Sequence, residues 1–255
     1  MNALITGASA GIGRQLAVIF AQHGYDVVLT ARREAALQEL ADDIRRRGRT
    51  ARVIVADLGA VDGAQTLYDR LQNERIDVDV LVNNAGSGLQ GAFSELPLDR
   101  QLAMIQLNVT SLTALTRLLL PAMLQRNRGG VLNVASTAAF QPGPLMTVYF
   151  ATKAYVLSFS EAVAEEVSES AVKISCLAPG PTETEFVESA GMTGSKLFKG
   201  AVMTAADVAQ SGFDGWNAGK RLVIPGFRNK LSAFSVRLAP RALVPGIVKR
   251  LNTIE

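Results

Sequence analysis

The chain has 255 residues, 48% hydrophobic and 19% charged: enough apolar material for one sizeable core, too little charge for a disordered chain. Its 26 basic and 23 acidic residues leave a formal charge of +3, which permits an anionic ligand but does not call for nucleic acid, and no zinc-finger spacing or aromatic-basic run supports that class. One cysteine, Cys176, excludes an intrachain disulfide, and with a single histidine, His23, no metal site is expected.

The opening MNALITGAS reads as a strand at 2–6 running into glycines. It lacks the basic, apolar and cleavage-site order of a signal peptide, so a cytoplasmic chain is expected. A helix follows at 12–23, a β-branched strand at 25–31, a charged amphipathic helix at 33–47, a strand at 52–58, a helix at 61–75 and a strand at 78–84. Two longer helices are predicted across 99–126. Their most apolar stretch, VTSLTALTRLLLPAML, is interrupted by Arg117 and Pro121 and is shorter than the ~20 residues of a membrane span, so it reads as a buried or interface helix. Then come a strand at 129–136, a long helix at 148–168, a strand at 172–179 that buries Cys176, a looser segment at 180–204, a helix at 205–217 and a strand at 220–224. A tail runs from 227 to 255.

Strands that are apolar on both faces and joined by helical crossovers predict an α/β fold: one domain over 1–255 built on a doubly wound, mostly parallel sheet with helices on both sides. Ligands of such sheets bind at the carboxyl ends of the strands. Gly7, Asn83, Ser136 and Pro179 all follow or end a predicted strand.

The first of these ends opens TGASAGIG, residues 6–13. Glycines there let the chain turn tightly and approach a pyrophosphate, and the next helix offers its free N–H groups to the anion. Gly7, Ser9, Gly11, Ile12 and Gly13 are therefore candidate dinucleotide contacts. The spacing is GxxxGxG, and the lysine of a phosphate-binding Walker loop is absent. The second strand ends VVLTARR, with arginine where a site for unphosphorylated NAD would prefer a carboxylate. Arg32 and Arg33, with Arg14 as a second source of charge, suit a ribose 2′-phosphate, so NADP(H) is expected over NAD(H). Asp57 is placed to accept from the adenine amine and Leu58 to pack on the ring. NNAG at 83–86 brings Asn83, Ala85 and Gly86 to the adenosine half, with Asn83 also able to bridge neighbouring strand ends.

Residues 149–153 read YFATK. At i and i+4, Tyr149 and Lys153 share a helix face. A free tyrosine, with a pKa near 10, is a poor acid or base at neutral pH, and a nearby ammonium is expected to lower it. Ser136 is placed to hydrogen-bond a substrate carbonyl beside the tyrosine. Asn108, polar in an apolar helix, wants a buried partner, which a water leading to Lys153 would supply.

Taken in order, TGASAGIG, NNAG, Asn108, Ser136, YFATK and PGPTET (179–184) resemble the short-chain dehydrogenase/reductase family over most of the chain. The resemblance implies a seven-stranded Rossmann-like sheet. It implies that Tyr149 is the catalytic acid or base, that Lys153 lowers its pKa and holds the nicotinamide ribose, that Ser136 orients the substrate and that Asn108 supports a proton-relay water. Pro179, Gly180 and Thr184 then border the nicotinamide, together with Thr182 at a position more often aliphatic. The implied reaction moves a hydride between nicotinamide and an alcohol or carbonyl, and the implied assembly is a homodimer or homotetramer through the helices at 99–126 and 148–168.

Candidate substrate walls are 87–93, 138–146 and a possible lid at 185–203, where Gln90, Phe140, Pro144, Met146, Phe186, Met192 and Phe198 suggest an apolar small-molecule ketone or aldehyde. The tail from Phe227 to Asn252 holds six basic residues and no acidic one, with Leu231, Phe234 and Leu238 at helical spacing and Pro240 and Pro245 as breaks. It is placed to cap the pocket, join subunits or touch a membrane surface. Two alternatives remain open at this level: an epimerase or dehydratase on the same scaffold, which also uses tyrosine and lysine four apart, and a non-catalytic dinucleotide-binding protein.

Overall fold

The computed structural model describes residues 1–192 and 202–253. In chain order they form β1 (Asn2–Thr6), α1 (Gly11–Gln22), β2 (Asp26–Ala31), α2 (Glu34–Arg46), β3 (Ala51–Val55), α3 (Gly63–Asn73) and β4 (Val80–Asn83). Next come α4 (Leu98–Ile105), a π turn (Gln106–Ser111), α5 (Leu112–Gln125), β5 (Gly130–Val134), a 3-10 turn (Thr137–Phe140), α6 (Thr147–Glu166) and β6 (Lys173–Leu177). The rest is β7 (Thr182–Glu183), α7 (Phe186–Ser189), β8 (Met203–Thr204), α8 (Ala205–Asn217), β9 (Leu222–Val223), α9 (Phe227–Ser235) and α10 (Val244–Asn252).

Seven strands build one sheet in the order β3-β2-β1-β4-β5-β6-β9, every pair parallel, and β7 pairs with β8 in a small second sheet. The strand period of two splits the core into two layers. Ala3, Ile5, Val27 and Leu29 face Leu16, Phe20, Leu40, Phe213 and Trp216 of α1, α2 and α8. Leu4 and Val28 face Leu67, Leu71, Leu115 and Met123 of α3 and α5. Strand order reverses between β1 and β4, and the crevice above that switch point is where such a sheet takes a ligand.

Most predicted elements agree to within a few residues at their ends. The pair of helices expected at 99–126 is instead one rod, Leu98–Gln125, whose two halves are joined by the π turn that carries Asn108. Pro121 lies inside α5 without ending it. The rod is long and apolar enough to cross a membrane by length and composition, yet Leu112, Leu115, Leu119 and Met123 are buried in the protein's own core. Pro240 separates α9 from α10 and Pro245 opens the first turn of α10, as their lack of an N–H dictates.

Candidate active site

The glycine loop between β1 and α1 has the shape its residues require. Gly7 and Gly11 take φ of +65° and +53°, in the left-handed region that glycine alone enters freely. A Cβ on Gly7 would lie 2.9 Å from the Ala85 backbone, so this loop and NNAG are in direct contact. Thr6 locks them: its hydroxyl accepts from the backbone N–H groups of Asn84 and Ala85, each at 2.9 Å, and donates to the Val82 carbonyl at 3.1 Å. The Asn84 side chain completes the clip by donating to the Thr6 and Gly7 carbonyls at 2.9 and 3.2 Å. The first turn of α1 has no side-chain cap and no acidic residue, which leaves its N–H groups for an incoming anion.

A cleft of about 880 Å³ runs from this loop across the strand ends. One end is lined by Gly7, Ser9, Gly11, Ile12, Arg32, Arg33, Asp57 and Leu58. Its middle is lined by Ala85 and Gly86, and its far end by Ser136, Tyr149, Lys153, Pro179, Gly180, Thr182 and Thr184. Arg33 reaches Ser9 Oγ through Nε at 3.3 Å and pairs with Glu185 at 2.8 Å. Arg32 is exposed and pairs with no carboxylate among the described residues. Asp57 accepts from the Gly59 N–H at 2.8 Å, which steadies its loop.

Three expected cofactor contacts lie elsewhere. Arg14 turns to Glu39 of α2 at 3.1 Å and does not line the cleft. Gly13 lies under the loop, where a Cβ would come within 2.4 Å of the Gly7 carbonyl; its smallness serves packing. Asn83 is buried and donates to Thr116 Oγ1 at 3.0 Å and Asn133 Oδ1 at 2.9 Å. It bridges strand ends as expected, but its neighbour Asn84 lines the cleft. Asn84 is the first residue past β4, where it lies against the glycine loop.

At the far end, Ser136 lies two residues past β5 and caps the 3-10 turn, accepting from the Ala138 N–H at 3.1 Å. Its hydroxyl lies 3.4 Å from the Pro179 carbonyl and also hydrogen-bonds Tyr149. Tyr149 and Lys153 project from the first turns of α6, with Lys153 Nζ 5.8 Å from the centre of the Tyr149 ring. Nζ donates to the Val134 carbonyl at 2.8 Å. Burial pushes the Tyr149 phenol up to about 12, a rise only partly offset by its hydrogen bond with Ser136. Burial likewise brings the Lys153 ammonium down to about 8, against a smaller upward pull from Cys176. The expected lowering of Tyr149 by Lys153 therefore does not prevail in this site. Burial dominates there, and the rings of Phe150 and Phe186 lie 6.1 and 5.3 Å from that of Tyr149.

Asn108 is buried and its amide is fully occupied. It donates to the Ser87 carbonyl at 2.9 Å and to Thr152 Oγ1 at 3.1 Å, and its oxygen accepts from the Ser87 N–H at 2.9 Å. These bonds tie the π turn to α6 one residue before Lys153.

Of the expected substrate walls, Met146, Phe186 and Met192 line the cleft. Gln90 and Pro144 instead bind the tail: Gln90 Nε2 donates to the Asn252 carbonyl, and Asn252 Nδ2 donates to the Pro144 carbonyl at 2.8 Å. Phe140 is not among the lining residues, and Phe198 lies outside the described residues. Val244 and Val248 of α10 are buried in one cluster with Met146, Phe150 and Met192, against which Tyr149 and Phe186 pack, so α10 backs the pocket. Glu185, Gln141 and Arg100 also line the cleft and carried no sequence signal of their own.

The donor set fits a nicotinamide dinucleotide. An uncapped helix N-terminus and close-packed glycines suit the pyrophosphate, arginines flank the end of β2, and a lysine sits beside Gly86, where a Cβ would come 3.5 Å from Nζ. The model of the short chain dehydrogenase family matches residues 1–193. A short chain dehydrogenase of Pseudocercospora fijiensis is 36% identical over 186 residues, 72% of this chain and 60% of that protein, so this chain matches about three-fifths of that relative's length. An NADP-dependent 3-hydroxy acid dehydrogenase of Salmonella typhi is 37% identical over 182 residues, 71% of this chain and 72% of that one. The solved structure of a short-chain dehydrogenase from Sphingobium yanoikuyae in complex with NADPH superposes with a TM-score of 0.83 at 31% identity, covering 93% of each chain.

Proposed function

This chain belongs to the short chain dehydrogenase family, and from that premise we propose that it is an NADPH-dependent reductase of apolar ketones or aldehydes. The observation that carries the proposal is the meeting of Ser136, Tyr149 and Lys153 at one end of a dinucleotide-sized cleft, against a wall of Met146, Phe150, Phe186 and Met192. When bound, the nicotinamide supplies or accepts the hydride.

Tyr149 keeps its proton at neutral pH because burial holds its pKa near 12. It therefore carries the proton that the alkoxide developing on a reduced carbonyl, a stronger base still, would take. The Ser136 hydroxyl, which hydrogen-bonds Tyr149, stands beside it to hold the same oxygen in line. Lys153, fixed by the Val134 carbonyl beside Gly86, supplies a positive charge next to the phenol and donors for the cofactor ribose. Asn108 and Thr152 keep α6 against the NNAG loop and so hold Lys153 in place.

Arg33 and Arg32 support the choice of NADPH, since both line the cleft at the end of β2 where no carboxylate competes from that strand. The relative and the solved structure named with NADP and NADPH agree with that choice. The exposed Leu98, Leu102, Ile105 and Tyr155 on α4 and α6 support a homo-oligomer built on those helices, which light scattering would test. A cytoplasmic location is part of the same proposal.

The test is NADPH oxidation followed by absorbance across a panel of carbonyls, with NADH in parallel. Turnover of an apolar ketone or aldehyde with NADPH preferred is the expected result. Turnover with no net change in cofactor redox state would point to epimerase or dehydratase chemistry instead.

A further inference from the structure

The tail lies beyond the residues that the family model matches, and its surface differs from the rest of the molecule. Six of the chain's 26 basic residues lie between Phe227 and Asn252, with none of its 23 acidic ones, so the chain before the tail is net negative. All six are exposed, and none is in an ion pair with a described carboxylate.

The apolar residues of α9 point the wrong way for a core helix. At 100° per residue, Phe227, Leu231 and Phe234 fall within an arc of about 60°. Arg228 lies on one side of that arc and Lys230 on the other. The half-buried Asn229 and the buried Ala233 lie opposite it, and they fix the packed side. That packed side rests on the cofactor loop: a Cβ at Gly180 would come within 2.6 Å of the Asn229 amide. The apolar stripe therefore faces away from the protein, with Phe227 79% and Leu231 and Phe234 each 56% exposed. The surface continues through Leu238 and Leu243 to Ile247 of α10, all exposed.

We propose that this face is a docking surface for an anionic lipid bilayer. An apolar stripe flanked by basic residues, on a helix packed by its opposite side, suits the boundary between headgroups and acyl chains. The excess of positive charge complements an anionic leaflet, whereas it would oppose a second copy laid tail to tail. Because α10 also backs the apolar pocket through Val244 and Val248, a docked enzyme presents its pocket wall next to the lipid. Docking itself does not depend on the reaction proposed above.

The full chain is tested by co-sedimentation with vesicles of phosphatidylcholine alone and of phosphatidylcholine mixed with phosphatidylglycerol. Binding to the mixed vesicles should exceed that to the neutral ones by about 10-fold or more and weaken with salt. Arg228→Glu with Lys230→Glu should lose about 10-fold or more of that binding. Phe227→Ser, Leu231→Ser and Phe234→Ser together should abolish it at unchanged net charge. NADPH binding retained in both variants shows that they fold. Equal binding to the two vesicle types, or variants that bind like the parent, overturns the proposal. A parent oligomer that ignores vesicles and dissociates in the serine variant also overturns it and makes the face a subunit contact.

Discussion

Arg33 and Glu185 join across the cofactor cleft at 2.8 Å, linking the end of β2 to the start of the segment that carries Phe186. Both side chains line the cleft, and the guanidinium also reaches Ser9 on the glycine loop. A phosphate on the adenosine ribose would have to share or displace the carboxylate. The pair is exposed, 52% and 63%, so its own strength is small. Glu185→Gln should therefore tighten NADPH about 2- to 5-fold while leaving NADH nearly unchanged. Titration of each cofactor by fluorescence checks this, and an equal gain for both would mean that Glu185 acts on the shared half of the cofactor.

Arg33 itself should carry more. A charge-assisted bond from guanidinium to phosphate contributes about 1.5–3 kcal/mol, so Arg33→Ala should cost roughly 10- to 100-fold in kcat/KM with NADPH. NADH turnover should hardly move. Arg32→Ala should add a smaller loss, because its exposed side chain is free to swing. Equal losses with both cofactors would show that the arginines serve the fold instead.

The cofactor end of the site was legible because its demands fall on the backbone. Only glycine enters the conformations of Gly7 and Gly11, and those residues announce themselves. Strands apolar on both faces likewise revealed a covered parallel sheet. What was hidden depends on register or on distance along the chain. Asn83 and Asn84 are identical in type, and only where β4 ends separates them: Asn83 is held in the sheet opposite Asn133, and Asn84 lies just past it against the glycine loop. The π turn at Asn108 adds one residue to a helix and shifts its apolar stripe, so the sequence reads as two helices where the structure has one rod. Glu185 and Arg33 are an ordinary acid and an ordinary base until folding brings them together. Capping the pocket, one of three roles open to the tail, required knowing that Val244 and Val248 are buried against the substrate segments.

Tyr149→Phe keeps the ring in its setting between Phe150 and Phe186 and removes only the proton donor. Turnover should fall by about 10²- to 10⁴-fold with NADPH affinity unchanged. Ser136→Ala should fall less, about 10²-fold, since it deletes one hydrogen bond to the developing oxyanion and leaves the acid in place. Single-turnover rates with saturating cofactor separate the two. A Tyr149→Phe protein that reduces substrate at the parent rate removes Tyr149 from the chemistry.

Lys153 should be a residue that the protein keeps at a cost in stability. Burial lowers its pKa from 10.5 to about 8, so at neutral pH a charge is held out of water with the Val134 carbonyl as its hydrogen-bond acceptor. Below pH 8 the lysine is protonated in both folded and unfolded chains, and the full burial cost applies. Between pH 8 and 10.5 the unfolded chain holds a proton that the folded protein has released, so this group's contribution to stability rises with pH. Lys153→Met should therefore be more stable than the parent at pH 7, by up to ~3 kcal/mol less about 1 for the lost hydrogen bond. That advantage should shrink as pH climbs past 8. Tyr149, whose raised pKa makes stability fall with pH above 10, is present in both proteins and cancels from the difference. Thermal unfolding of the two at pH 7 and at higher pH reads the gap directly. A gap that widens with pH would mean that Lys153 is a stabilising cation, and would overturn the account in which burial sets its pKa.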